Sequence, residues 1–105
     1  LPTAVPRLCS DVLHGQIIHI DRFGNLISNI SAEDLAPFAA APLIRAGSAP
    51  PLKTICTTYA DVEPGQPLAL IGSADQLEIS VRGGHAAHFF SIDRGAAICI
   101  ERQHP

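Results

Sequence analysis

Short apolar runs alternate with polar positions along most of the chain, and Gly, Pro, Asn or Asp interrupts them at short intervals. This pattern is typical of an all-β domain with frequent turns. Ile17, Ile18 and Ile20 are β-branched residues that mark one strand. The predicted strands are 12–21, 26–30, 43–45, 52–57, 67–71, 76–81 and 96–101. The chain is therefore expected to form a small antiparallel β-barrel or sandwich of about six or seven strands.

One or two short helical turns are expected between the strands. Ser31 is a good helix N-cap, and the acidic Glu33 and Asp34 follow it in the first turn. Pro37 limits this helix to a turn or two. Residues 85–89 could form a second turn before the last strand.

Composition narrows the functional classes. The 105 residues are 47% hydrophobic and 16% charged, with a formal net charge of -3. This length fits one domain, and the scattered basic residues argue against a nucleic-acid surface. No apolar stretch reaches the roughly 20 residues that cross a bilayer, and no leader sequence is recognisable. We expect a cytoplasmic location without membrane contact.

Cysteine and histidine give no sign of a metal centre or a disulfide. Cys9, Cys56 and Cys99 are widely separated and show no C-x-x-C spacing, so we expect buried, reduced thiols. His85 and His88 would share a face of a helix, but no carboxylate or thiol lies at ligand spacing from them. No metal is predicted.

The connection between the first two main strands carries candidate chemistry. Asp21, Phe23 and Asn25 lie within five residues at the tip of this hairpin, and Gly24 supplies the backbone freedom that the turn needs. An acid, an aromatic ring and a carboxamide suit a flat, polar ligand. Composition alone favours a plainer interpretation, because Asp and Asn are common in turns and Phe is common in cores.

Three blocks of sequence carry a family resemblance. They read IDRFGNLISNI at 20–30, TYADVEPGQPLALIGS at 58–73 and LEISVRGGHAA at 77–87. Together they resemble, in order, motifs of the C-terminal domain of the S-adenosylmethionine hydroxide adenosyltransferases. These are adenosine-forming S-adenosylmethionine hydrolases, relatives of the fluorinating and chlorinating enzymes. The resemblance implies the same β-barrel fold.

The resemblance also implies a substrate site for S-adenosylmethionine, without a cofactor. Phe23 and Tyr59 would lie beside the adenine, and Asn25 would bond its edge. The backbone at Val81 and Gly83 would complete the adenine contacts. In the same way, Asp21 would hold the methionine ammonium group and Ser73 its carboxylate.

Catalysis itself is not expected from these residues. In the family, residues of a separate N-terminal α/β domain position the water or hydroxide, and none of that domain is present. The Pro-punctuated residues 1–10 are predicted to be an interdomain linker remnant, and residues 11–105 the C-terminal adenosine-binding β-barrel. The family arrangement implies a homotrimer whose site lies against the N-terminal domain of a neighbouring subunit.

Two other interpretations remain. Halogenating relatives carry Trp and Arg where Ile27 and Ala74 stand here, which points away from halide chemistry. Arg82 replaces the Asn usual before the Gly-rich break, a departure near an expected backbone contact. A stand-alone barrel used for assembly or protein binding, with the motifs retained for folding, is the alternative from a different functional class.

Overall fold

The computed structural model describes residues 5–104 and confirms the predicted fold class. Within this range the chain forms eight strands and two short α-helices, so the strand count is higher than predicted. The strands are β1 (Arg7–Cys9), β2 (Val12–Ile20), β3 (Leu26–Ser31), β4 (Pro42–Ala46), β5 (Ile55–Cys56), β6 (Pro67–Ile71), β7 (Gln76–Val81) and β8 (Ala97–Arg102). The helices are α1 (Ala32–Leu35) and α2 (Ala86–Phe90), and 3₁₀ turns span Ala36–Phe38 and Tyr59–Asp61. Neither helix is long and apolar enough to span a membrane.

One strongly curved sheet builds the domain. Its strand order is β4-β8-β2-β3-β7-β6-β5, and β1 pairs with β2 beside this path. All pairs are antiparallel except β5 with β6, which is parallel. Because β1 and β3 pair with successive parts of β2, the sheet changes partners along that strand. The result is a nearly closed barrel.

Segment 52–56 brings the two edges of the sheet together. Leu52 exchanges two backbone hydrogen bonds with Ile44 of β4, with N···O distances of 2.8 and 2.9 Å. A few residues later, Ile55 pairs with Ala69 of β6. The prediction of one continuous strand over 52–57 is therefore wrong, because the segment leaves one edge before it reaches the other. Only Ile55–Cys56 is a strand.

The core lies inside this barrel. Along β3, buried and half-buried positions alternate, so Leu26 and Ile30 face inward with no exposed surface. Leu77 and Ile79 of β7 are buried in the same cluster. Ser28 is a fully buried polar residue of β3: its Oγ donates to the Leu77 carbonyl at 2.7 Å and accepts from the Ile30 N–H at 3.1 Å. These bonds lie where the pairing of β3 and β7 is irregular.

Local sequence signals gave several elements correctly. Strands β6 and β7 have the predicted bounds. Ser31 caps α1, and Asp34 completes a capping box by accepting from the Ser31 N–H at 3.0 Å. Strand β4 lies at the end of the sheet, as its prolines predict.

Two differences lie near the N-terminus. Residues 7–9, within the predicted linker segment, form strand β1, which the sequence analysis did not predict. Residues 1–4 lie outside the described range. The prediction of buried thiols is wrong for Cys9, which is exposed because β1 is covered on neither face, whereas Cys56 and Cys99 are half-buried. All three are free thiols.

Candidate functional site: an aromatic depression at one end of the barrel

The turn between β2 and β3 is held by its own acid. Asp21 Oδ1 accepts from the N–H groups of Phe23 and Asn25, both at 2.9 Å. The Asp21 N–H donates to the Asn25 carbonyl at 3.1 Å, and the Gly24 N–H donates to the Asp21 carbonyl at 2.9 Å. Gly24 has φ of +83°, a conformation that favours glycine. These bonds fix the backbone that presents Phe23 and Asn25.

The carboxamide of Asn25 is also oriented by Asp21. Its Nδ2 donates to Asp21 Oδ2 at 3.0 Å. Within residues 5–104, the Oδ1 atom and the second N–H of this carboxamide form no other hydrogen bond. One acceptor and one donor of the carboxamide therefore remain, and the bond to Asp21 fixes the orientation of the group.

Helix α2 supports the turn from behind. The Ala87 N–H donates to the Gly24 carbonyl at 3.0 Å. His85 is the N-cap of α2: its Nδ1 accepts from the His88 N–H at 3.3 Å, and the two imidazoles stack with centroids 3.8 Å apart. The His85 ring packs against Gly24 so closely that a β-carbon at residue 24 would overlap it. The predicted histidine pair thus shares a structural role, and residues 5–104 contain no cluster of three metal-ligating side chains.

A second wall is the loop of residues 57–66. Thr58 is the N-cap of its 3₁₀ turn, and the Thr58 Oγ1 accepts from the Ala60 N–H at 3.4 Å. Asp61 Oδ2 accepts from the N–H groups of Thr57 and Thr58 at 2.9 and 3.3 Å. These bonds form a capping box around Tyr59, which is 41% exposed.

The third side is the Gly-rich end of β7. The Gly84 N–H donates to the Val81 carbonyl at 3.0 Å, which turns the chain away from the sheet. Gly83 has φ of +70°, and a β-carbon there would meet nothing within 4 Å. Gly83 is exposed, so a ligand can approach its backbone closely.

These three segments enclose one open depression of about 440 Å³, the size class of small-molecule sites. Its lining residues are Phe23, Asn25, Tyr59, Val81, Arg82, Gly83 and Gly84. Five of the seven residues predicted to bind substrate therefore lie together. Phe23 is 61% exposed, and the Arg22 guanidinium lies 4.9 Å from its ring centroid, so one side of that ring already carries a cation.

Asp21 and Ser73, the other two predicted residues, do not line the depression. Asp21 lies directly behind it, bonded to Asn25. Ser73 is exposed in the turn between β6 and β7, where the Gly72 N–H donates to the Gln76 carbonyl at 2.9 Å. Glu78 packs against Gly72 of this turn. The structure therefore places Ser73 in a turn that packs against Glu78, outside the lining of the depression.

Asp21 and Glu78 have opposite electrostatic environments. Burial raises the pKa of Asp21, but the hydrogen bonds from Asn25 and Phe23 and the nearby His19 outweigh it, so its pKa lies below the ordinary value. Burial, followed by the negative charge of Asp21, raises the pKa of Glu78. Sequence patterns singled out only Asp21 of these two carboxylates. No local signal marked Glu78, because its environment depends on a strand pairing that brings it beside Ile27.

Arg82 also lines the depression although it was not predicted as a site residue. Its guanidinium Nη1 donates to the Val62 carbonyl of the Tyr59 loop at 2.7 Å. The only sequence signal was its departure from the usual Asn.

Comparison with known proteins identifies relatives over nearly the whole chain. The chain is 28% identical over 95 residues to an (R)-S-adenosyl-L-methionine hydrolase of Salinispora tropica, covering 90% of this chain and 35% of that protein. It is 27% identical over 94 residues to a protein of the same name from Thermus thermophilus, covering 90% of this chain and 34% of that one. The chain thus spans about a third of the length of these curated relatives.

Solved structures share the fold. An uncharacterised conserved protein of Thermotoga maritima superposes with a TM-score of 0.80 at 29% identity, covering 97% of this chain and 40% of that one. A conserved hypothetical protein of Thermus thermophilus gives a TM-score of 0.74 at 27% identity, covering 95% and 38%. A family model described as the SAM hydroxide adenosyltransferase C-terminal domain matches residues 15–99. The chain belongs to this family of SAM hydroxide adenosyltransferase C-terminal domains.

Proposed function

We propose that this chain is the nucleoside-binding C-terminal domain of a longer enzyme that hydrolyses S-adenosylmethionine to adenosine and methionine. The observation that carries the proposal is the meeting of Phe23, Asn25, Tyr59 and Gly83 in one depression, from three separate parts of the sequence. The names of the curated relatives support the substrate.

The depression suits an adenine. Phe23 and Tyr59 both offer exposed aromatic surface to the depression, and stacking of a base on such a side chain contributes about 1–3 kcal/mol. The fixed carboxamide of Asn25 supplies the neighbouring donor and acceptor that the amino group and a ring nitrogen of adenine require. The open peptide groups at Gly83 would add backbone contacts.

The methionine part would extend towards Asp21 and Ser73. Asp21 accepts three hydrogen bonds from its own turn, so its first role is to hold Phe23 and Asn25 in place. Its charge would still attract the ammonium group of the substrate. Ser73 is exposed and would donate to the carboxylate only if the methionine part reaches the β6–β7 turn.

The reaction needs groups beyond this domain. Water or hydroxide attacks C5′ of the ribose, the C5′–sulfur bond breaks with its electron pair going to sulfur, and methionine leaves as a neutral thioether. The water proton passes to a base on the N-terminal domain. This chain would hold the adenine so that C5′ lies in line with the nucleophile, which is the contribution of orientation to the rate.

The proposed assembly follows from the family. The depression is open on one side, and we expect the N-terminal domain of a neighbouring subunit to cover it in a homotrimer in the cytoplasm. Such a cover would exclude bulk water from a reaction that uses a single one.

Steady-state kinetics of the full-length enzyme that contains this chain would test the proposal. Adenosine and methionine are quantified for the wild type and for Asn25→Ala and Tyr59→Ala. We expect KM for S-adenosylmethionine to rise about tenfold or more in each variant, with a smaller fall in kcat, because 1.4 kcal/mol of binding corresponds to a factor of ten.

Phe89→Ala is the matched control, since Phe89 is an aromatic residue that is 46% exposed and does not line the depression. Its kinetics should equal those of the wild type. Unchanged kinetics in both site variants would reject the adenine assignment. A wild-type enzyme that binds no adenosine and releases no methionine would favour the stand-alone assembly module.

A further inference from the structure

The loop that carries Tyr59 has little packing of its own. Of residues 57–66, Val62 alone is half-buried and the others are exposed. None of them belongs to the hydrophobic core cluster. The position of Tyr59 therefore depends on hydrogen bonds rather than on burial.

Arg82 supplies three of those bonds. Its backbone N–H donates to the Gln66 carbonyl at 3.0 Å, and its carbonyl accepts from the Gly65 N–H at 2.8 Å. Both extend the β6–β7 pairing. The guanidinium bond to the Val62 carbonyl at 2.7 Å is different, because it reaches beyond the strands into the loop.

Val62 connects this bond to Tyr59. The Val62 N–H donates to the Tyr59 carbonyl at 3.3 Å, which closes the 3₁₀ turn. The Val62 peptide groups are thus bonded to Tyr59 on one side and to Arg82 on the other. A cationic donor on a carbonyl forms one of the stronger hydrogen bonds in proteins.

We propose that the side chain of Arg82 is a positioning residue that holds Tyr59 at the adenine site. The expected effect of Arg82 on the kinetics rests on the proposed function, whereas the restraint on Tyr59 does not depend on it. An Asn at residue 82 would keep both backbone bonds and, with its shorter side chain, would lack the reach to Val62. The chain therefore restrains its Tyr59 loop through a group that the resembled motif does not contain.

The variants separate this role from a general structural one. Arg82→Met keeps the length of the side chain and removes every donor, whereas Arg82→Lys keeps a cationic donor. Arg94→Met is the control, because Arg94 is exposed, and its backbone N–H bonds Asp93 while its guanidinium contacts neither the depression nor the loop. Because the loop adds nothing to the core, Tm should change little in all three.

Kinetics of the full-length enzyme give the first readout. We expect Arg82→Met to raise KM for S-adenosylmethionine about tenfold with a smaller change in kcat, and Arg82→Lys to recover part of the loss. In the double variant with Tyr59→Ala, Arg82→Met should add almost nothing, since residues that act through each other are not additive. Additive effects, or an unchanged KM in Arg82→Met, would overturn the proposal.

Tyrosine fluorescence of the 105-residue chain gives the second readout. Tyr59 is its only tyrosine, and it contains no tryptophan, so the emission reports this side chain alone. Arg82→Met should lower the fluorescence anisotropy, and Arg94→Met should not. Unchanged anisotropy in Arg82→Met would refute the restraint. Lowered anisotropy in a protein that does not process S-adenosylmethionine would keep the restraint and reject the proposed function.

Discussion

The two walls of the depression each present one aromatic ring, but they are built in different ways. The turn of residues 21–25 is short, is bonded within itself through Asp21, and is supported by α2. The loop of residues 57–66 is twice as long, mostly exposed, and attached through Arg82. The group with directional hydrogen-bonding capacity, Asn25, lies on the first wall.

This difference separates two tasks of a binding site. Hydrogen-bond recognition loses strength when donor or acceptor moves by a fraction of an ångström, so it belongs on a fixed backbone. Stacking tolerates small displacements, because it depends on overlapping flat surfaces. A fixed wall for the carboxamide and a tethered wall for Tyr59 match these requirements.

Gly24→Ala should produce the largest loss of stability, because Gly24 lies in the turn that forms the fixed wall. The alanine would have to adopt a φ of +83°, and its β-carbon would overlap the His85 ring. Strain and overpacking together should lower the free energy of unfolding by about 2–4 kcal/mol. Urea denaturation measures this change.

Gly65→Ala is the matched control on the other wall. Gly65 has φ of +86°, yet a β-carbon there would meet nothing within 4 Å. Only the backbone strain remains, so the loss should be about 1 kcal/mol. Equal losses in the two variants would contradict the contrast between the walls.

Asp21→Asn should give the next largest effect. Replacing the carboxylate weakens the bonds to Phe23 and Asn25 and should cost about 1–2 kcal/mol at pH 7. The folded pKa of Asp21 lies below its ordinary value of 3.8, so the unfolded chain binds the proton more tightly. The stability that the wild-type carboxylate contributes is present above that pH and is lost as the pH falls through the folded pKa.

The difference in the free energy of unfolding between Asp21→Asn and the wild type should therefore shrink in acid. Urea denaturation at pH 7 and pH 3 measures it.

For Glu78→Gln we expect a change in stability of the opposite sign. Because the folded pKa of Glu78 lies above its ordinary value of 4.5, its ionisation destabilises the fold as the pH rises past that value. Glu78→Gln should be more stable than the wild type at pH 7. A less stable Glu78→Gln would contradict this sign.

Ser80→Ala should give the smallest effect and extends the comparison into the sheet beneath the walls. Ser28 of β3 follows the fixed turn, and its Oγ forms two hydrogen bonds. Ser80 of β7 is also fully buried, but its Oγ has no partner in the described chain. Removing an unpartnered hydroxyl should leave stability within about 0.5 kcal/mol or raise it slightly. Ser28→Ala leaves the Leu77 carbonyl and the Ile30 N–H without their hydrogen-bond partner. It should lower the free energy of unfolding by about 1–3 kcal/mol. A lower Tm in Ser80→Ala than in Ser28→Ala would contradict the view that only the Ser28 hydroxyl contributes hydrogen bonds.

Local signals explain which parts could be predicted from the sequence. The β6–β7 hairpin and the helix N-cap at Ser31 depend on residues close together in the chain, and both are as predicted. The predicted strand over 52–57 is too long, because residues of this segment pair with two different edges of the sheet. Strand β1 was missed, since its residues are exposed and lack an apolar pattern.

For the site, the motifs identified the residues, and only the fold could bring them together. Nothing local links Tyr59 to Phe23, or Arg82 to Val62, because those contacts depend on how the barrel closes. The roles of the seven predicted residues in binding stay predictions. Asp21 and Ser73 are the two that do not line the depression.

Residues 52–56 form the seam that joins the two edges of the sheet, and they lead directly into the loop that carries Tyr59. This seam is held by one bridge to β4, by a two-residue strand on β6 and by the Gln103 side chain, whose Nε2 donates to the Lys53 carbonyl at 2.9 Å. It should open more readily than the long antiparallel pairs elsewhere in the barrel. Amide hydrogen exchange should therefore be fastest along a continuous stretch from the barrel closure to Tyr59. A nucleoside bound against Tyr59 would slow exchange at the seam as well, so that ligand occupancy would also secure the closure of the barrel.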